Sequence, residues 1–183
     1  MRELVLAAAL LAAGPAAATG LAIEIGGEVE GTVRIDLFED VAPAHAERLA
    51  TLAAEGAYDG VVFHRVIEGF MAQTGDVAFG RLEGGDMRRA GTGGSDLPDL
   101  PAEFSDVSFE RGVVGMARSA DPDSANSQFF IMFAPAPHLD GQYTVVGRVT
   151  EGMAVVDDIK RGTGRNGAVT GRPDVMTRVT VTE

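Results

Sequence analysis

Five consecutive apolar residues, FFIMF at positions 129–133, constrain the fold of this chain more than any other feature. A short apolar run of this kind indicates a buried strand. Successive side chains of a strand point to opposite faces, so both faces of this strand are apolar. An open sandwich with one face in water does not need such a strand. A closed barrel with helices over its open ends, or with an outer groove, does.

Short strand patterns recur along the rest of the chain, and Gly-bearing turns separate them. Strands are predicted at 21–28, 32–38, 61–67, 70–77, 112–118, 128–133, 144–150 and 176–182, with one more short strand near 103–104. Helices are predicted at 44–54, with Pro43 in the first turn and Gly56 past the end, and at 153–161. The expected fold is mainly β, a closed eight-stranded antiparallel barrel capped by two α-helices.

The N-terminus indicates export. Residues 4–13 are apolar but too short to span a bilayer. Ala16–Ala18 follow as a small-residue cleavage site. We therefore expect a signal peptide at 1–18, one domain at 19–183, and a monomeric periplasmic protein with no membrane insertion of the mature chain. The alternative is an ordinary N-terminal helix, since Glu3 offsets the charge of Arg2.

Charge and composition exclude several classes of function. The formal net charge of −12 disfavours nucleic acid and anionic lipid as partners. The chain has no Cys, which excludes disulfides, a thiolate nucleophile and Cys-based zinc sites. The three His residues are too scattered for a zinc motif. Residues 162–167 (GTGRNG) match G-x-G-x-x-G but follow a helix, so we interpret them as a loop and not a dinucleotide site. We expect no cofactor and no metal.

Three ordered segments carry the functional information: YDGVVFHRVIEGFMAQTGD at 58–76, GMARSADPDSANSQFFIMF at 115–133 and HLDGQYTVVG at 138–147. Together with GTGG at 91–94, they resemble the cyclophilin family of peptidyl-prolyl cis-trans isomerases over residues 21–182. The resemblance implies an isomerase that rotates X-Pro bonds, assists protein folding and acts on proline-containing polypeptides. His138 and Tyr143 resemble the bacterial members, in agreement with an exported form.

The resemblance also implies residue roles. Arg65 resembles the catalytic arginine. The implied substrate-binding residues are Phe70, Met71, Gln73, Ala117, Arg118, Gln128, Phe130, Leu139, His138 and Tyr143, with His64 as a lesser candidate. Phe70, Met71, Phe130 and Leu139 would form the walls of a proline pocket.

These residue types suit a reaction in which no bond is made or broken. Rotation about an X-Pro amide is slow because twisting destroys the C–N resonance. In the twisted state the proline nitrogen regains its lone pair and can accept a hydrogen bond. A guanidinium aimed at that nitrogen therefore binds the transition state selectively.

Two other function classes stay open at this point. A cyclophilin-like binding module would use the fold as a chaperone or scaffold, but the intact set from Arg65 to Phe130 favours an enzyme. A hydrolase lacks a convincing nucleophile, since no G-x-S-x-G occurs in the chain.

Overall fold

Nine strands and two helices make up the computed structural model, which describes residues 19–183. The strands are β1 Gly20–Gly26, β2 Gly31–Leu37, β3 Val61–Val62, β4 Arg65–Ile67, β5 Met71–Thr74, β6 Val113–Met116, β7 Phe129–Met132, β8 Val145–Glu151 and β9 Val175–Thr182. The helices are α1 Pro43–Ala54 and α2 Met153–Asp158. Neither helix of this range is long and apolar enough to cross a membrane. The signal peptide expected at 1–18 lies outside the described residues.

The strands form one curled antiparallel sheet in the order β3-β9-β1-β2-β8-β6-β7-β5-β4. Its two edge strands, β3 and β4, do not pair with each other. The closed eight-stranded barrel expected from the sequence is therefore wrong in strand number and in closure, and the sheet is a nine-stranded half-barrel. The cause lies in the segment 61–67, where Phe63 and His64 interrupt the strand. Its first part pairs with β9 and its second with β5, so one expected strand becomes two edges.

The segment near 103–104 is not a strand, contrary to expectation. The carboxylate of Glu103 instead accepts hydrogen bonds from the first turn of α1. Glu103 accepts hydrogen bonds from the backbone N–H groups of Ala44 and His45 and lies 2.6 Å from Nδ1 of the buried His45 ring. A helix leaves its first N–H groups without partners inside the helix, and Glu103 supplies partners for two of them. The second helix is also shorter than expected and ends at Asp158.

The central strands bury apolar residues on both faces, as their sequence predicts. Phe129 and Ile131 of β7 belong to the main core, where Leu49 and Leu52 of α1 cover the sheet. Phe130 and Met132 of the same strand belong to a second cluster with Met71 of β5. The alternation along β7 thus divides the apolar side chains between the core and the opposite surface of the sheet.

The long Gly-rich loop after β5 is organised by one buried carboxylate, that of Asp76. Its Oδ1 accepts from the N–H groups of Ala78 and Phe79, at 3.1 and 2.9 Å. Its Oδ2 accepts from those of Gly91 and Gly93, at 2.7 and 3.0 Å. Four backbone donors in place of water stabilise a charge that would otherwise be costly to bury. Asp76 therefore joins the start and the end of the loop.

Replacing Asp76 by Asn should lower the free energy of unfolding by about 3 kcal/mol, because one acceptor becomes a donor that faces buried N–H groups. Urea denaturation measures this difference. Glu83→Gln, an exposed carboxylate in the same loop, is the matched control and should change stability by less than about 0.5 kcal/mol. Equal stability of the Asp76 variant and the wild type would contradict the role of this carboxylate.

Candidate active site

A cavity of about 160 Å³ lies on the outer surface of the sheet. We call it the apolar cavity after Phe70, Met71, Phe130 and Leu139, which line part of it. A cavity of about 150 Å³ accommodates a benzene-sized ring, so this one has room for a proline ring. Its lining contains nine residues: Arg65, Phe70, Met71, Gln73, Ala117, Arg118, Phe130, Leu139 and Tyr143. All of them are among the eleven substrate-binding residues and the catalytic residue expected from the sequence.

Strand register explains why these side chains meet. Met71 and Gln73 point to the same side of β5, and Gln73 pairs with Phe130 of β7. On the other side of β7, Phe130 pairs with Gly115 of β6. A Cβ at Gly115 would come within 2.6 Å of both the Phe130 and the Phe109 rings. The missing side chain of Gly115 thus leaves room for Phe130 to lie against Phe109 at a centroid distance of 5.8 Å.

Arg65 is half-buried on β4 at the wall of the cavity, and two hydrogen bonds hold its guanidinium. Nη1 donates to Gln73 Oε1 at 3.1 Å, and Nε donates to the carbonyl of Asn166 at 2.9 Å. Nη2 makes no hydrogen bond within residues 19–183 and is free to donate. Burial lowers the pKa of Arg65 from its ordinary value, but an arginine stays protonated at neutral pH.

A chain of amide hydrogen bonds connects Arg65 to the Gly-rich loop. Gln73 donates through Nε2 to Gln128 Oε1 at 3.0 Å, and Gln128 donates through Nε2 to the carbonyl of Gly93 at 2.7 Å. Gly93 is one of the four donors to Asp76. The catalytic candidate is therefore oriented, through two glutamines, by the loop that Asp76 holds.

A second cavity of about 350 Å³ adjoins the first. Gln128 lies here and not in the apolar cavity, and it shares this second lining with Gln73, Ala117 and Arg118. The Arg118 guanidinium lies over the Tyr143 ring at 4.3 Å and donates to the carbonyls of Ser119 and Gln142. Arg118 thus lines both cavities, and Tyr143, on which it lies, lines the first.

Two His residues expected at the site lie beside it. His138 is exposed at the rim, where its ring stacks on Phe70 at a centroid distance of 5.8 Å. His64 is buried with 7% exposure and lines neither cavity. It packs beneath Gly91, where a Cβ would lie 3.1 Å from the ring. The placement of His64 gives it no direct contact surface for a substrate.

The buried His64 ring is neutral at physiological pH. Neither of its nitrogens has a hydrogen-bond partner among the described residues, although Gln128 and the Val62 carbonyl lie nearby. Burial lowers the pKa of His64 to about 4, and the nearby carboxylate of Asp76 only partly opposes this effect. An unfolded histidine titrates near 6.5.

This lowered pKa predicts that the free energy of unfolding falls as the pH falls from about 6.5 to about 4. In that range His64 is protonated in the unfolded chain but stays neutral in the folded chain. Between pH 7 and 4.5 the loss due to His64 should be about 2 kcal/mol. Urea denaturation of wild type and His64→Gln at both pH values tests this. Between pH 7 and 4.5, the free energy of unfolding of the variant should fall by about 2 kcal/mol less than that of the wild type. His138→Gln, at an exposed ring, is the control. The same loss in wild type and in the His64 variant would contradict the prediction.

Three residues important for this geometry were missed by reasoning from sequence. In the sequence, Asp76 ends the segment 58–76 with no assigned role, Gly93 belongs to the GTGG stretch at 91–94, and Asn166 belongs to the loop at 162–167. The Asn-Gly pair at 166–167 is typical of a turn with a left-handed residue and is the local signal that points to Asn166. Nothing local indicated that the turn faces Arg65, because the two residues are 101 positions apart.

Comparison with known proteins identifies the family of this chain. Residues 21–181 match the family model described as "Cyclophilin type peptidyl-prolyl cis-trans isomerase/CLD". A "Probable peptidyl-prolyl cis-trans isomerase" of Brucella suis is 58% identical over 154 residues, which cover 83% of this chain and 78% of that protein. A peptidyl-prolyl cis-trans isomerase of Helicobacter pylori is 40% identical over 135 residues, 73% of this chain and 77% of that protein.

Solved structures show the same fold. A cyclophilin-type isomerase of Cryptosporidium parvum has a TM-score of 0.75 at 22% identity, over 91% of this chain and 99% of the other. Its structure in the presence of the dipeptide Ala-Pro has a TM-score of 0.74 at 22% identity, over 90% and 99% of the two chains. By sequence match and by fold, this chain belongs to the cyclophilin-type peptidyl-prolyl cis-trans isomerase family and is an enzyme of that class.

Proposed function

We propose that Arg65 is the catalytic residue of this isomerase and that the apolar cavity beside it binds the proline ring. The observation that carries the proposal is a guanidinium with a free Nη2 on the wall of a cavity lined by Phe70, Met71, Phe130 and Leu139. The ring would be held while the acyl side of the X-Pro bond turns. Nη2 would then donate to the proline nitrogen once it has become pyramidal.

The required rate enhancement exceeds what a single hydrogen bond supplies. A change from about 0.01 to about 1000 per second corresponds to about 7 kcal/mol. One well-placed donor is worth about 3–4 kcal/mol. The remainder must come from holding the substrate. Gln73 supports substrate holding, because its side-chain amide has two N–H donors. One donates to Gln128, and the other is available to a substrate carbonyl.

Arg65→Ala should lower kcat/KM by roughly two to three decades, or about 1.4 kcal/mol for each decade. A protease-coupled assay with an X-Pro peptide measures it. Arg65→Lys keeps the charge but lacks the planar donors, so it should stay at least about tenfold below the wild type. Arg148→Ala, at an exposed arginine on β8, is the matched control. An Arg65→Ala enzyme as fast as the wild type would favour the binding-module alternative.

We further propose that the protein is exported to the periplasm and acts there as a monomer on proline-containing segments of polypeptides that are folding. Cleavage after Ala18 would leave Thr19 as the first residue and β1 complete. The Thr19 nitrogen donates to Glu39 Oε1 at 2.6 Å. In a cleaved chain this nitrogen is an ammonium, and the carboxylate of Glu39 would stabilise its charge. The Ala-Pro dipeptide of the Cryptosporidium structure supports the substrate class.

N-terminal sequencing of the protein recovered from the periplasm of a Gram-negative host tests the export proposal, and Thr19 should be the first residue. Ala16→Glu with Ala18→Glu removes the small residues that the peptidase requires, so this variant should keep residues 1–18. Wild-type protein that stays in the cytoplasm with residues 1–18 attached would contradict the proposal.

A further inference from the structure

The loop 162–169 covers the edge strand that carries Arg65. Strand β4 ends the sheet, so one side of its backbone has no neighbouring strand. Gly162 N–H donates to the carbonyl of Val66 at 2.9 Å, and Val169 N–H donates to that of His64 at 3.0 Å. The two bonds lie on either side of Arg65 in the strand. The loop therefore satisfies an otherwise unpaired edge at the position of the catalytic residue.

Asn166 forms the tip of this loop in a left-handed conformation, with φ 56° and ψ 28°. It is the one residue other than Gly with a positive φ in the described part of the chain. Asn adopts this conformation more readily than other non-Gly residues, and β-branched residues strongly avoid it. Here the conformation turns the Asn166 carbonyl toward Nε of Arg65, 2.9 Å away.

The Asn166 side chain is exposed and makes no hydrogen bond within residues 19–183. Its effect on Arg65 therefore passes through the backbone. The next residue, Gly167, has φ 79° and packs so closely on β4 that a Cβ would collide with the Ile67 side chain. Gly167 thus allows the loop to pack against the strand, while Gly162 and Gly164 allow the loop to pack against its own residues 167–170.

We propose that Asn166 is a positioning residue for the isomerase reaction, acting through Arg65. One hydrogen bond from Nη1 to Gln73 would let the guanidinium pivot about that contact. A second bond, from Nε to the Asn166 carbonyl, fixes the plane of the guanidinium and with it the direction in which Nη2 can donate. A donor that is already oriented loses no free energy to reorganisation in the transition state. The inference rests on the proposed role of Arg65.

Asn166→Val tests the inference, because Val disfavours the left-handed backbone and should turn the carbonyl away. We expect kcat to fall about tenfold with KM changed less than about twofold, the effect of losing one charge-assisted hydrogen bond that orients a catalytic donor. Asn166→Gly permits the same backbone and should recover most of the lost kcat. Arg165→Ala, at an exposed neighbour in the loop, is the control for general loop effects.

A double-mutant cycle separates this role from a merely structural one. Asn166→Val should have no further effect on an Arg65→Ala enzyme, since the guanidinium it orients is absent. If Asn166→Val lowers kcat by the same factor in the Arg65→Ala enzyme as in the wild type, the inference is overturned. A kcat of Asn166→Val equal to that of the wild type would also overturn it. If Arg65→Ala is itself fully active, the proposed role of Arg65 fails before Asn166 is tested.

A measurement on the wild type serves where a variant does not fold. The Nε–H of Arg65 should exchange slowly with solvent in ¹⁵N-resolved NMR, because it is bonded to the Asn166 carbonyl. Exchange as fast as that of the exposed Arg148 would overturn the inference. In folded Asn166→Val the exchange should be faster than in the wild type, and unchanged exchange would count against the inference as well.

Discussion

The two apolar faces of β7 are the constraint on which the rest of this structure depends. The inner face of β7, with Phe129 and Ile131, belongs to the main hydrophobic core, to which α1 also contributes. The outer face would expose Phe130 and Met71 to water unless something covered them. Neighbouring side chains form a cavity around them instead. The same alternation that stabilises the fold thus produces an apolar surface suited to a proline ring.

A hydrogen-bond network lies beside this apolar surface and begins at the buried carboxylate of Asp76. Asp76 accepts a hydrogen bond from Gly93 of the Gly-rich loop, and the Gly93 carbonyl accepts one from Gln128. Gln128 accepts from Gln73, and Gln73 accepts from Arg65, so the loop orients the guanidinium through the two glutamines. Each bond consumes a donor that would otherwise need water. A flexible, charged side chain is thereby held in one direction at the wall of an apolar cavity. Catalysis by a fixed donor requires this kind of preorganisation.

The open edge of the sheet follows from the interruption at Phe63 and His64. A closed barrel would have paired β4 on both sides. Because β4 is an edge, its outer side accepts a loop, and the loop brings the Asn166 carbonyl to Arg65. The departure from the expected barrel and the environment of Arg65 therefore have the same structural origin.

Reasoning from sequence was most successful where the signal is local. The structure confirms the hairpin of β1 and β2, helix α1 between Pro43 and Gly56, and the burial of both faces of β7. These features could be predicted because the hydrophobic period, the turn residues and the helix ends each depend on residues that are close in sequence. The resemblance to the cyclophilins identified the residues that line the apolar cavity. The strand predictions failed at 61–67, where the two halves of the segment pair with different strands, and at 103–104, where no strand forms.

The sequence by itself determined the alternation, the turns and the identity of the side chains that surround the cavity. Only the tertiary structure decided that the sheet stays open, that four loop amides converge on Asp76, that His64 lies beneath the site, and that Asn166 meets Arg65. These contacts join residues as many as 101 positions apart. Their geometry depends on how the whole sheet curls, and no local preference of the chain specifies that curl.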